Sequence, residues 1–426
     1  MSNHQFIQRC IRAECQTEYD LDARLYVCSR CGGLLDIERR EPLAIDPDSL
    51  RQRWLTRRDR SGVWRFREFL PFPEDADVVS LGEGNTPLYD APRSAQYCRL
   101  SRLKLKHQGC NPTGSFKDAG MTVAVTQARK LGARLVVCAS TGNTAASLAA
   151  YAARADMQCA IIVPAGQVSH AKLAQALDYG AKVIEIDGNF DASMHVIREL
   201  ADDESIYLVN SINPFRIEGQ KTVAFELCEQ LDWRVPDHLV LPGGNLGNSS
   251  AFGKGFRELL SSGLIDRQPK ITVVQAEGAA PFARFYEDGE HREFVNEEDP
   301  KTLASAIKIG APVSWQKAWR VVSETGGSVI TVTEQEIADA KAVIGRDGIG
   351  CEPASATTVA GIRKLSLGEN ESVVAVLTGH VLKDTDYVIK YHNRSLTDPD
   401  GRKLESRFAN SPIRVGATAD AIRAVL

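Results

Sequence analysis

Short apolar runs alternate with helical stretches from about residue 100 to residue 377, and this alternation restricts the chain to few architectures. Leu135-Val136-Val137-Cys138-Ala139-Ser140 reads as a buried strand, and the Ala-rich stretch 145–155 behind it as a helix. Residues 160–164 read as the next strand and 171–179 as the next helix, stopped by Gly180. The pattern continues at 183–186, 206–209, 238–241, 271–274 and 373–377. Strands that alternate with helices of about 10–15 residues imply parallel sheets covered on both faces. The length, 426 residues, exceeds what one ordinary core supplies and predicts two or three domains.

Composition narrows the function classes. The chain is 43% hydrophobic and 25% charged, the profile of a soluble globular protein. A net charge of −4 argues against a nucleic acid or a membrane surface as partner. No run of about 18 apolar residues occurs, so no transmembrane helix is expected. The first residues lack the apolar core of a signal peptide. Six of the ten cysteines are scattered, mostly among apolar neighbours, and read as reduced core residues, which points to the cytoplasm.

Three segments carry chemistry. In Asn111-Pro112-Thr113-Gly114-Ser115-Phe116-Lys117-Asp118 a lysine follows a Pro/Gly turn and opens a helix. The partial positive charge of a helix N-terminus depresses the pKa of an ammonium there. An amine that is easily deprotonated condenses with an aldehyde. The plainer alternative is a surface lysine, for which a helix N-terminus is an unfavourable place. The second segment, Leu241 to Asn248, contains Gly243, Gly244, Asn245, Leu246 and Gly247 between a strand and a helix from Ser250 onward. Its backbone N–H groups suit a single phosphate. It has neither the Lys-Ser/Thr ending of a nucleotide loop nor dinucleotide glycine spacing. The third, Ser140-Thr141-Gly142-Asn143-Thr144, offers hydroxyls, an amide and N–H groups to a carboxylate or phenolic oxygen, although alone it reads as a helix cap.

Taken in order along the chain, 80–88, 107–121, 139–146, 210–222, 242–248 and Thr378-Gly379-His380-Val381-Leu382-Lys383-Asp384 resemble the threonine synthases. That family lies among the tryptophan-synthase-β-like (fold type II) pyridoxal-phosphate enzymes, and the details resemble its plant-like branch. Two departures occur: Ala119 stands where the family often has Arg, and Val381 where it often has Gly. The resemblance implies an α/β fold of two parallel-sheet αβα domains. Residues 43–110 would be linker and the start of the large domain, 111–214 the smaller domain, and 215–426 the rest of the large domain with the C-terminal tail.

The resemblance also implies site roles. Lys117 carries pyridoxal 5'-phosphate and later moves protons. Gly244, Asn245, Leu246, Gly247 and Asn248 take the cofactor phosphate. Asn143 bonds the phenolic oxygen, and Thr378 faces the pyridine nitrogen with a neutral hydroxyl. Asn210, Ser211 and Arg216, aided by Thr144, take the substrate phosphate, and Ser140 and Thr141 the substrate carboxylate. An arginine fork suits a phosphate dianion; the bland alternative pairs Arg216 with Glu218. The implied substrate is O-phosphohomoserine, converted with water to threonine and phosphate, and the implied assembly is a homodimer. The competing readings are a cysteate synthase or a serine/threonine dehydratase of the same fold, and an adaptor with a dead catalytic domain.

Residues 1–42 stand apart. Cys10-x4-Cys15, twelve residues, then Cys28-x2-Cys31 resembles a zinc ribbon. Four thiolates in two loops match tetrahedral structural zinc, and a segment this small is too short for a good core alone. The zinc is expected to be structural, packed against the enzyme body or a partner subunit.

Overall fold

The computed structural model describes residues 5–57, 59, 61–165, 170–187, 196–197, 199–200, 203–289 and 293–426. Among these, strands form three sheets. The first is a small antiparallel sheet at the N-terminus, ordered β2-β1-β3, from β1 (Phe6–Cys10), β2 (Glu18–Asp20) and β3 (Leu35–Arg39). Helix α1 (Pro47–Thr56) follows, opened by Asp46, whose side chain accepts from Ser49 N. Trp54 on α1 packs edge-on against Phe66, which in turn meets Phe225. Residues 43–80 therefore wrap the body through buried aromatic contacts.

The chain then starts a large sheet with β4 (Leu88–Asp90), α2 (Pro92–Tyr97) and β5 (Lys104–His107). It leaves that sheet through α3 (Lys117–Lys130). A four-stranded parallel sheet follows, ordered β8-β7-β6-β9. Its strands are β6 (Leu135–Ala139), β7 (Gln158–Pro164), β8 (Lys182–Ile186) and β9 (Ile206–Leu208), with helices α4 (Asn143–Arg154) and α5 (His170–Asp178). Helix α6 (Pro214–Gln230) returns the chain to the large sheet. There follow β10 (His238–Pro242), α7 (Gly247–Ser261), β11 (Lys270–Ala276), α8 (Pro281–Asp288), α9 (Trp315–Thr325), β12 (Val329–Val332), α10 (Glu334–Arg346), α11 (Pro353–Ile362), β13 (Val373–Leu377), α12 (Thr385–His392) and α13 (Ala419–Arg423). The order is β12-β11-β10-β13-β5-β4, parallel except for β4. The α/β expectation holds. The glycine-loop helix begins at Gly247, three residues before the predicted Ser250, so the loop is itself the helix N-terminus.

Helices α3 and α6 position the functional side chains. They lie so close that a Cβ on Gly219 would sit 1.8 Å from Ala119 O. A Cβ on Gly120 would sit 2.7 Å from Arg216 O. An arginine after the Lys117-Asp118 pair has no room here, since Ala119 is fully buried at this crossing.

Candidate active site

The site is built where the ends of β13, β10 and β6 converge. The lysine segment is stitched to the end of β13: Phe116 N donates to Thr378 O at 2.8 Å, and His380 N to Gly114 O at 3.0 Å. Asp118 holds the turn before the helix. It accepts from Thr113 N at 2.7 Å, from Thr113 Oγ1 at 2.6 Å and from Ser147 Oγ of α4 at 2.6 Å. Burial still pushes its carboxyl up to about 6. The result is a Lys117 side chain placed by three elements at the first position of α3.

Lys117 and Arg216 line one cavity, with Phe116, Ser211, Gln220, Gly244 to Asn248, Glu352 and Thr378. Desolvation first, then the Arg216 guanidinium, lowers the Lys117 ammonium to about 7. Burial lowers Arg216 to about 10, so it stays charged at neutral pH. Arg216 is 3% exposed, and its Nε and Nη1 have no protein partner among the described residues. A buried guanidinium with free donors is costly unless an anion completes it. Glu218 is not that anion, because Lys221 (2.6 Å) and Lys254 already hold it.

The glycine loop forms the opposite wall. Leu246 adopts a left-handed conformation (φ 64°) just before α7. A Cβ on Gly244 would approach Ile307 Cα to 3.2 Å, so the bare backbone faces a tight channel. Asn245 is tied to 313–314 by its carbonyl and side chain. Asn248 Nδ2 donates to Gln108 Oε1 at 3.3 Å, while Asn248 Oδ1 and Gln108 Nε2 lack partners among the described residues.

Asn143 and Thr378 meet through a residue that the sequence reading missed. Asn143 Nδ2 and Thr378 Oγ1 both donate to the Glu352 carboxylate at 3.0 Å. Glu352 is 1% exposed, and burial raises its carboxyl pKa. The signal in the sequence is an acid immediately before the apolar Pro353-Ala354-Ser355-Ala356 helix start; in the fold it stands at the N-cap, but its side chain makes no capping bond. Ser355 Oγ completes the cluster, accepting from Thr378 N at 2.8 Å.

Other expected site residues are more dispersed. Ser211 lines the cavity, but the Asn210 amide is engaged with Ala139, accepting from its N–H and donating to its carbonyl, both at 3.1 Å. Ser140 and Thr141 are half-buried beside the start of α4, and Thr144 is buried within its first turn. They give α4 no side-chain cap, since its cap residue is Gly142. At the other end of the chain, Cys10, Cys15, Cys28 and Cys31 bring their sulfurs within 4.8 Å of one another. A wider surface cleft between Arg57, Arg67, Glu74 and Arg154 lies elsewhere; Arg57 and Arg67 there are already paired with Glu68, Glu74 and Asp59.

Residues 79–379 match the family model described as pyridoxal-phosphate dependent enzyme. The threonine synthase of Methanocaldococcus jannaschii is 46% identical over 394 residues, 90% of this chain and 94% of that protein. That of Methanosarcina acetivorans is 47% identical over 387 residues, 89% and 93%. The chloroplastic threonine synthase 2 of Arabidopsis thaliana is 41% identical over 377 residues, 86% of this chain and 72% of that protein. Among solved structures, threonine synthase from Escherichia coli superposes with a TM-score of 0.70 at 16% identity, covering 98% of this chain and 99% of that one.

Proposed function

The chain belongs to the pyridoxal-phosphate-dependent enzymes and, within them, to the threonine synthases, and from that premise we propose how its cavity converts O-phosphohomoserine and water to threonine and phosphate. The observation that carries the reading is Arg216: a fully charged, buried guanidinium with unfilled donors, in the same cavity as a buried, readily deprotonated lysine.

The residues present fit pyridoxal phosphate. Among the described residues, Lys117 is the one lysine lining the cavity. The N-terminus of α7, with Gly244 to Asn248, supplies N–H groups for its phosphate. Asn143 and Thr378 both donate to the Glu352 carboxylate, and by the family resemblance they would bond the phenolic oxygen and face the ring nitrogen of the cofactor. When bound, the cofactor supplies an electron sink for charge that develops at Cα and Cβ.

The protein's own groups do the rest. Lys117 Nζ, as a free amine, takes the proton from Cα; a second proton then leaves Cβ, its electron pair forming the Cβ–Cγ double bond as the Cγ–O bond to phosphate breaks, and a proton is delivered to Cγ before water adds at Cβ. Arg216, with Ser211, holds the phosphate at Cγ and favours its departure by neutralising the dianion. Burial of the cavity limits stray water, so the water admitted is the one that adds at Cβ. Glu352 fixes the orientations of Asn143 and Thr378. Loss of a phosphate group distinguishes this chemistry from that of a dehydratase acting on free serine or threonine, since such a substrate leaves Arg216 unfilled.

Two structural traits extend the proposal. The four N-terminal sulfurs are close enough for one tetrahedral zinc, whose Zn–S bonds of about 2.3 Å set S···S at about 3.8 Å; Cys10 and Cys31 lie 3.4 Å apart, Cys15 and Cys28 3.6 Å. We also infer a cytoplasmic homodimer, from the family resemblance and the reduced cysteines. No helix among the described residues is long and apolar enough to cross a membrane.

The deciding experiment is a phosphate-release assay on O-phosphohomoserine and on the one-methylene-shorter O-phosphoserine, with the amino-acid product identified. Threonine and stoichiometric phosphate from the first substrate support the reading. Turnover of phosphoserine with sulfite instead would sink it in favour of a cysteate synthase.

A further inference from the structure

The N-terminal cysteine module is bonded at both flanks of the segment 210–216, to Tyr207 and Leu208 before it and through Lys254 to Glu218 after it. On one side, Tyr26 of the module accepts a hydrogen bond from Leu208 N at 2.8 Å, and its ring meets Tyr207 edge-on at 5.9 Å. Leu208 ends β9, two residues before Asn210. On the other side, the module's β3 is bolted to the helices behind Arg216. Lys317 of α9 donates to Leu35 O at 2.7 Å and to Asp36 Oδ1 at 2.8 Å. Lys254 of α7 reaches Ile37 O and the Glu218 carboxylate, with Asp36 Oδ1 4.0 Å away. Glu218 is fully buried on α6, two residues beyond Arg216.

The sulfurs and this junction belong to one small unit. Cys10 faces Leu35 across the β1–β3 ladder, and Leu35 shares a buried cluster with Cys10 and Cys28. A contact network of this kind leaves little slack: Asp36, Lys317, Lys254 and Glu218 are buried or nearly so, and each charge depends on its partner. A shift of the module would therefore move either the end of β9 or the start of α6. The cofactor loop at Gly244 to Asn248 and the lysine segment are also held by β10 and β13, and their helices α7 and α3 meet the module only farther along, at Lys254 and at Gln127 and Lys130.

We propose that the N-terminal module positions the phosphate-binding segment, with Tyr26 and Asp36 as positioning residues that hold Ser211 and Arg216 at the spacing a substrate phosphate needs. The proposal rests on the reading that Arg216 and Ser211 take that phosphate. It assigns the module a part in substrate affinity.

The test uses the full-length holoenzyme and three variants: Tyr26→Phe, Asp36→Asn and, as the reference for the underlying reading, Arg216→Ala. The measurements are KM and kcat for O-phosphohomoserine, inhibition by inorganic phosphate, visible absorbance of the bound cofactor, and thermal stabilisation by inorganic phosphate. Tyr26→Phe and Asp36→Asn should each raise KM and the phosphate inhibition constant by about 3- to 30-fold, the range of coupling through packed networks. Their cofactor absorbance should be unchanged, and added phosphate should stabilise them less than wild type. A residue that merely supports the fold would lower all parameters together. If Arg216→Ala raises KM while both module variants fold and bind phosphate like wild type, the positioning role is refuted and the phosphate site stands. If Arg216→Ala also leaves phosphate binding intact, the site itself is misplaced and the positioning role falls with it. Should Asp36→Asn fail to fold, the isosteric Tyr26→Phe decides alone.

Discussion

At Lys117, burial and the Arg216 guanidinium act on one ammonium in the same direction, lowering it to about 7. Hydride reduction of the cofactor-loaded protein should leave the pyridoxyl mass on the peptide containing Ser115-Phe116-Lys117, and label on another lysine would refute the assignment. The lowered value also gives the pH dependence its sign. The amine is neutral above about 7 and protonated below, so covalent uptake of pyridoxal phosphate by cofactor-free protein should slow about tenfold from pH 8 to pH 6. An ordinary lysine would show uptake still rising beyond pH 9. Arg216 makes the second prediction at this scale. Arg216→Ala should cut kcat/KM on O-phosphohomoserine about 30-fold to several thousand-fold, the cost of roughly 2–5 kcal/mol for a desolvated charge pair. Arg216→Lys should recover only part, because a point charge replaces a two-pronged contact. Visible absorbance of the cofactor should be the same in both variants, since its phosphate has a separate loop.

Elements place these residues through the crossing of α3 and α6. One helix begins at Lys117, the other carries Arg216 in its first turn, and glycines let them touch. Gly219→Ala would push a methyl to within 1.8 Å of Ala119 O, a backbone atom with no way to retreat except by moving the helix. Overpacking of this sort costs about 1–3 kcal/mol, sometimes more, and here it also separates the amine from the guanidinium. Thermal denaturation should show a clear loss of stability, with kcat/KM falling as well. Gly345→Ala supplies the contrast. Gly345 lies within α10, and nothing lies within 4 Å of where its Cβ would go. That substitution should leave activity unchanged and raise stability by up to about 1 kcal/mol, through helix propensity alone. Equal effects of the two substitutions would show that the close crossing does not matter.

For the molecule as a whole, the small sheet at the N-terminus is joined to the body by the pairing of Asp36 with Lys317 and Lys254, and the four sulfurs cluster within 4.8 Å of one another. Protein purified without chelator should contain one zinc per chain. Cys28→Ser should lower the melting temperature or the solubility, because metal binding and folding of such a segment are one equilibrium. Metal analysis finding none would leave the cluster as four reduced thiols. The large sheet starts with β4 and β5, stops while the four-stranded sheet is built, and resumes at β10. Lys117 and Arg216 sit at the two crossings between the sheets, on the outbound and the returning helix. The cavity is therefore assembled at the junction of the sheets, as open α/β folds place ligands at the carboxyl ends of strands.

The sequence alone determined the α/β class, because apolar runs of strand length alternating with helical stretches permit few other solutions. It also pointed to Lys117, the glycine loop and the paired cysteines as candidates, since each is a local pattern whose chemistry depends on neighbours in the chain. Tertiary structure decided what depends on distant partners. Glu352 was hidden because its importance lies in meeting Asn143 and Thr378, 209 and 26 residues away. Asn210 reads as a phosphate ligand by motif, but its amide is turned back onto Ala139 by the pairing of β9 with β6. Arg216 has Glu218 as a sequence neighbour, yet Lys254 and Lys221 claim that carboxylate and leave the guanidinium open. The hold of the N-terminal module on both flanks of residues 210–216 was equally invisible, because charges on β3, α6, α7 and α9 become partners only when folding removes them together from water.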